Sequence, residues 1–86
     1  MPEISRFYGI VIRMFYNDHA PPHFHAKYGK SELEVGISPI AVLEGNAPTR
    51  VRSMVLEWAT LHHAELLADW DRCRNSQAPN SIPPLD

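Results

Sequence analysis

At Gly45-Asn46-Ala47-Pro48 the periodicity of this 86-residue chain changes, and that switch decides what it can fold into. Upstream, Ser31-Glu32-Leu33-Glu34-Val35-Gly36-Ile37 alternates polar with apolar residues, the two-residue repeat of a half-buried strand. Leu33, Val35 and Ile37 are expected to face a core, with Glu32 and Glu34 facing out. Downstream, Val51, Met54, Val55, Trp58, Leu61, Leu66, Leu67 and Trp70 recur at helical spacing. Strands in one half and helix in the other define an α+β domain. At this length there is room for one domain with a thin core.

The β half divides further. Residues 7–16, Phe-Tyr-Gly-Ile-Val-Ile-Arg-Met-Phe-Tyr, are rich in β-branched and aromatic side chains and read as a strand. Asn17-Asp18-His19-Ala20-Pro21-Pro22 supplies turn chemistry, a second strand is expected over His23–Tyr28, and Gly29-Lys30 marks the next turn. Ser31–Ile37 follows, Pro39 ends it, and Ile40–Glu44 adds a short fourth strand. The expected architecture is an antiparallel meander of three to four strands over residues 6–44. It packs against residues 48–75, either one long helix or two with a break near His62-His63-Ala64. Pro48 suits the first helical turn. Residues 1–75 form the domain, and 76–86 read as a proline-rich extended or disordered tail that Ile82 and Leu85 can pin to the body.

Several function classes fall away on composition. The chain has no run of about 18 apolar residues, so no membrane partner is expected. Glu3, Arg6 and Arg13 interrupt any secretory h-region, and a lone Cys73 suits a reducing cytosol, so the expected location is cytoplasmic. No Gly-rich phosphate loop, cysteine pair, nucleophile elbow or H-E-x-x-H helix is present. The net charge of −2 hides an asymmetry: residues 1–31 carry a balance of +2 and residues 32–48 a balance of −3. Positive charge therefore accompanies the first half, which leans toward an anionic ligand there.

Three of the five histidines, His19, His23 and His25, fall within seven residues of that basic half. Two prolines between His19 and His23 stiffen the backbone that presents them. Alternation puts His23 and His25 on one strand face, and a hairpin would bring His19 near them. Three imidazoles, with Asp18 or a helix histidine as fourth group, match the ligand set of an open zinc site. The same residues also suit metal-free anion binding with Arg13 and Lys27, or general acid–base work. A purely structural role, by hydrogen bonding and stacking on Tyr8, Phe15 or Trp58, is the third reading. His62 lies four residues after Trp58, on the inward side, and is the candidate to join the hairpin histidines. Glu65 is placed to pair with His62, while His63 reads as solvated.

The run Ile4–Met14, then Asn17-Asp18-His19, Pro21-Pro22-His23-Phe24-His25-Ala26 and Tyr28-Gly29, resembles the bacterial domain-of-unknown-function family 4160. Glu57-Trp58-Ala59, His62, Glu65-Leu66 and Trp70 fit the same pattern, whereas His63 and the proline-rich end depart from it. The resemblance covers about residues 1–75 and implies a small bacterial protein encoded beside a second small protein, an arrangement similar to toxin–antitoxin pairs. Two functions are expected. The first is a binding module whose histidine-rich hairpin (Arg13, Asp18, His19, His23, His25, Lys27) contacts the partner, an anion or a nucleic acid. The alternative is a metal-binding protein, holding zinc or another divalent ion, or a small hydrolase or ribonuclease, with His19, His23, His25 and His62 as ligands or catalytic groups.

Overall fold

The computed structural model describes residues 2–86. Its strands are β1 (Glu3–Phe7), β2 (Ile10–Arg13), β3 (His23–Tyr28), β4 (Ser31–Ile37) and β5 (Ile40–Asn46), followed by α1 (Thr49–Leu61) and α2 (His63–Arg74). All five strands pair antiparallel in chain order, so the sheet is an uninterrupted meander with β1 and β5 at its edges. No helix among the described residues is long and apolar enough to cross a membrane.

The α+β class is the expected one, but the sheet has five strands and not three or four. The difference lies in residues 7–16, which do not run as one strand. Tyr8 (φ 49°) and Gly9 (φ 79°) both adopt the left-handed region and close a two-residue hairpin in which Phe7 pairs with Ile10. Such a turn matches the right-handed twist of its strands. Its tyrosine disguises it, because an aromatic inside a β-rich run reads as strand. At the far end β2 stops at Arg13, Met14 turns fully into the core, and the nine residues Met14–Pro22 form the connection to β3.

Gly45 (φ 94°) stands on β5 just beyond the register shift against β4 at Glu34/Val35. A Cβ there would lie 2.0 Å from the Glu32 carbonyl oxygen. Gly45→Ala is therefore expected to destabilise the protein by about 2 kcal/mol or more, from left-handed strain and the clash together. A urea midpoint unchanged from wild type would contradict this.

The helical half is a pair, with His62 (φ −115°, ψ 28°) as the break. Pro48 sits just before the first turn of α1 as its cap, with φ −53° and ψ 144°, and its carbonyl accepts the Arg52 N–H. Trp58 is fully buried and joins the layers: its ring meets Phe7 at 5.5 Å and Phe24 at 5.6 Å between centroids. Around it, Ile10, Ile12, Leu33 and Val35 from the sheet close on Val55 and Leu66 from the helices.

The tail is extended and held at three points. Ile82 N–H donates to the Ile4 carbonyl at 2.8 Å, Trp58 Nε1–H donates to the Pro83 carbonyl at 2.9 Å, and Asn80 N–H donates to Asp69 Oδ1 at 2.8 Å. Ile82 is buried, and Leu85 packs partly on the core. Burial raises the Asp69 carboxyl above the usual carboxylate range, with Glu65 adding to the rise, against the opposing Asn80 amide and Arg72. The folded state thus holds that proton more tightly than the unfolded chain. Its contribution to stability is complete below the ordinary carboxylate value and lost as pH rises through the raised folded value. Asp69→Asn keeps an oxygen for Asn80 and removes the buried charge. Its melting temperature relative to wild type should therefore be more favourable at pH 7 than at pH 4, and an identical difference at both would contradict this.

Candidate metal centre

The connection Met14–Pro22 is tied to the body at its middle and at its end. Asn17 N–H donates to the Cys73 carbonyl at the end of α2 at 3.2 Å, and Ile37 N–H donates to the Pro22 carbonyl at 3.0 Å. Asp18 is thereby placed over the start of β3. Its Oδ1 accepts the His19 N–H at 2.9 Å, which orients the carboxylate, and His19 Nδ1 lies 3.0 Å from the same oxygen. The other oxygen, Oδ2, is 2.9 Å from His23 Nε2 and 3.4 Å from His25 Nε2. Alternation on β3 does the rest: Phe24 points to the core while His23 and His25 project to the opposite face.

His23 is the informative group. It is buried, its ring 5.2 Å from Trp70, and its Nδ1–H donates to the Pro21 carbonyl at 2.7 Å. A carbonyl only accepts, so Nδ1 carries a proton, and Nε2 is the ring atom turned toward Asp18. That Nε2 is buried and has no hydrogen-bond partner; Asp18 Oδ2 is near but out of line. A ring nitrogen this close to a carboxylate calls for positive charge between them, either a proton on the ring or a bound cation.

His25 shows a related arrangement. Its Nε2 faces Asp18, its Nδ1 lies 3.5 Å from Glu32 Oε2, and its ring meets Phe15 edge-on at 4.5 Å. Nδ1 held by a carboxylate or carbonyl with Nε2 free is the outer-shell pattern that orients metal-ligating histidines. His23 follows it at Nδ1, whereas the Nε2 of His25 hydrogen-bonds Asp18 Oδ2 at 3.4 Å.

Two sets of possible ligand atoms lie within 4.8 Å of one another: Asp18, His23 and His25, and also His19, His23 and Glu34. They share His23 Nε2, which has one lone pair and binds one ion. They are therefore alternative seats for a single cation, not two sites. Zinc with bonds near 2.0–2.1 Å separates tetrahedral ligands by about 3.3–3.5 Å. The 3.4 Å between Asp18 and His25 fits, and the 2.9 Å between Asp18 and His23 needs a small opening.

Asp18 is set up to stay ionised. Partial burial opposes its charge, but the His19 amide, the His25 side chain and the neighbouring His23 and His19 rings outweigh it and hold the carboxyl below its usual range. Arg13 pairs across the strands with His25, and Lys27 lies 3.9 Å from Glu32. His62 stands elsewhere: it pairs with Glu65 and stacks on Trp58 at 5.6 Å, in neither ligand set. Trp58 packs on Phe24, and Phe24 leaves β3 on the face opposite His23 and His25. Glu32 and Glu34, expected only to face out, stand directly across from Lys27 and His25. Outward parity was legible for them; their partners depend on strand register, which alternation does not supply.

The fold and this cluster define a small α+β protein with a histidine–carboxylate site where a stiff connection crosses its meander. The chain belongs to the family described as Domain of unknown function (DUF4160), whose model matches residues 9–71. No curated protein and no solved structure matches.

Proposed function

We propose that this protein binds one divalent transition-metal ion through Asp18, His23 and His25, with His19 or Glu34 able to add a fourth ligand. The observation that carries the reading is the buried, unpartnered Nε2 of His23 turned toward Asp18. Two imidazoles and one carboxylate leave coordination positions open, as in metal sites that act on a ligand. When bound, the ion supplies Lewis acidity; the chain supplies oriented rings and an ionised carboxylate. Titration of tag-free, chelator-treated protein with zinc against a chromophoric chelator should give one ion per chain. Less than about 0.1 equivalent bound at micromolar zinc would overturn the reading, since an open three-ligand protein site binds zinc more tightly than that.

A second reading is a partner-binding module of a toxin–antitoxin-like pair in the bacterial cytosol. It is supported by the β5 edge, where Leu43 is exposed beside Ile40, Ala41 and Val42. If the chain forms no stable complex with the small protein encoded beside it, that reading fails.

A further inference from the structure

On the far side of α2 from the histidines, the tail runs from Gln77, whose N–H donates to the Arg72 carbonyl at 2.8 Å, to the buried Ile82. None of the residues between these anchors, Ala78-Pro79-Asn80-Ser81, is buried. Among the described residues, one hydrogen bond holds this span, from the Asn80 N–H to Asp69 Oδ1 at 2.8 Å. Between span and helix lies a groove of about 300 Å³, lined by Glu65, Asp69 and Arg72 on one side and by Asn80 and Ser81 on the other. The span therefore rests on Asp69 and not on packed side chains.

Asp69 is only 1% exposed, and its second oxygen, Oδ2, is buried without a partner. An ionised carboxylate offers about four acceptor sites that call for donors or water, and a protonated one fewer. In the closed arrangement the donors are the Asn80 amide and the Arg72 guanidinium, 3.6 Å from Oδ1. Glu65 acts against ionisation, though its own carboxylate is paired with His62. Cys73, also on α2, keeps its proton, since burial and the nearby Asp69 both push its thiol up. The tail side of the groove brings no charged side chain.

We propose that Asp69 and the span 78–81 form a proton-operated latch over this groove. Protonated, Asp69 holds the span closed on α2. Ionised, it shifts the span toward an open arrangement in which water from the groove fills the empty acceptor sites. The Asn80 amide, on an exposed residue, loses little by exchanging its bond for one to water, whereas the carboxylate gains its missing partners. Burial raises the Asp69 carboxyl in the closed arrangement, so closure and proton binding are linked. Closure is complete below the ordinary carboxylate range and is lost as pH rises through the raised value. Gln77 and Ile82 stay anchored, which confines the motion to the span.

Nitrogen-15 relaxation on the metal-free, full-length chain reads the latch directly. In wild type the order parameters of Asn80 and Ser81 should be near 0.85 at pH 4 and below about 0.6 at pH 7, the rigid and flexible ranges. Asp69→Asn keeps an oxygen for the Asn80 amide and cannot ionise, so its span should stay near about 0.85 at pH 7 as well. The variant titrates all five histidines as wild type does, which separates their effect from that of Asp69. Ile82 and Val35 should remain rigid throughout. Equal order of the span at both pH values in wild type would overturn the latch. So would an Asn variant as mobile at pH 7 as wild type, or loosening that takes in Ile82 and Val35 alike.

Discussion

Asp18→Asn is expected to lower zinc affinity by about 100-fold or more while the protein stays folded. Replacing residues that merely orient metal ligands costs about 10–100-fold, and removing a ligand's charge should exceed that range. Asparagine retains an oxygen for the His19 N–H, so the turn over β3 keeps its internal hydrogen bond. Zinc-free Asp18→Asn should thus melt within a few degrees of wild type, whereas zinc should raise the melting temperature of wild type alone. Equal zinc-induced shifts in both proteins would show that Asp18 is not a ligand. His25→Gln provides the parallel loss from a ligand that is not fully buried.

The second large effect concerns the joint between sheet and helices. Trp58→Ala should destabilise the fold by about 3–5 kcal/mol, the range for removing a fully buried aromatic. A domain of this size has roughly 5–15 kcal/mol in total, and a thin core places it toward the low end. The variant also frees the Pro83 carbonyl and withdraws the surface on which Phe7 and Phe24 rest. Trp58→Phe separates these contributions, since it keeps an aromatic ring and loses the Nε1–H donated to the tail. Chemical denaturation should rank wild type above Trp58→Phe and Trp58→Phe well above Trp58→Ala. A loss below about 1 kcal/mol for alanine would mean that the core tolerates a cavity at its centre.

What was legible in the sequence follows from what depends on local pattern. Alternation over Ser31–Ile37 is visible because Leu33, Val35 and Ile37 all meet the core from one face. The Tyr8-Gly9 turn was hidden because a tyrosine at positive φ is rare enough that composition reads it as strand. The histidine segment stands out by crowding, and β3 parity brings the His23 and His25 rings to 5.2 Å of one another. The roles of Glu32 and Glu34 rest on the β3–β4 register. That of Trp70 beside His23 rests on where α2 docks. Neither is a property of any one segment. For His62, helical spacing points to the side of Trp58, and its ring does reach Trp58 from the break after α1. It belongs to neither ligand set, because its ring pairs with Glu65 and Trp58 instead.

The central claim is a single cation held by Asp18, His23 and His25, and anomalous diffraction at the zinc edge from crystals of the zinc-loaded protein tests it most directly. The account predicts one strong peak per chain, within about 2.0–2.2 Å of His23 Nε2, His25 Nε2 and an Asp18 carboxylate oxygen. A peak held by His62 or by surface carboxylates, or none near His23, would contradict it.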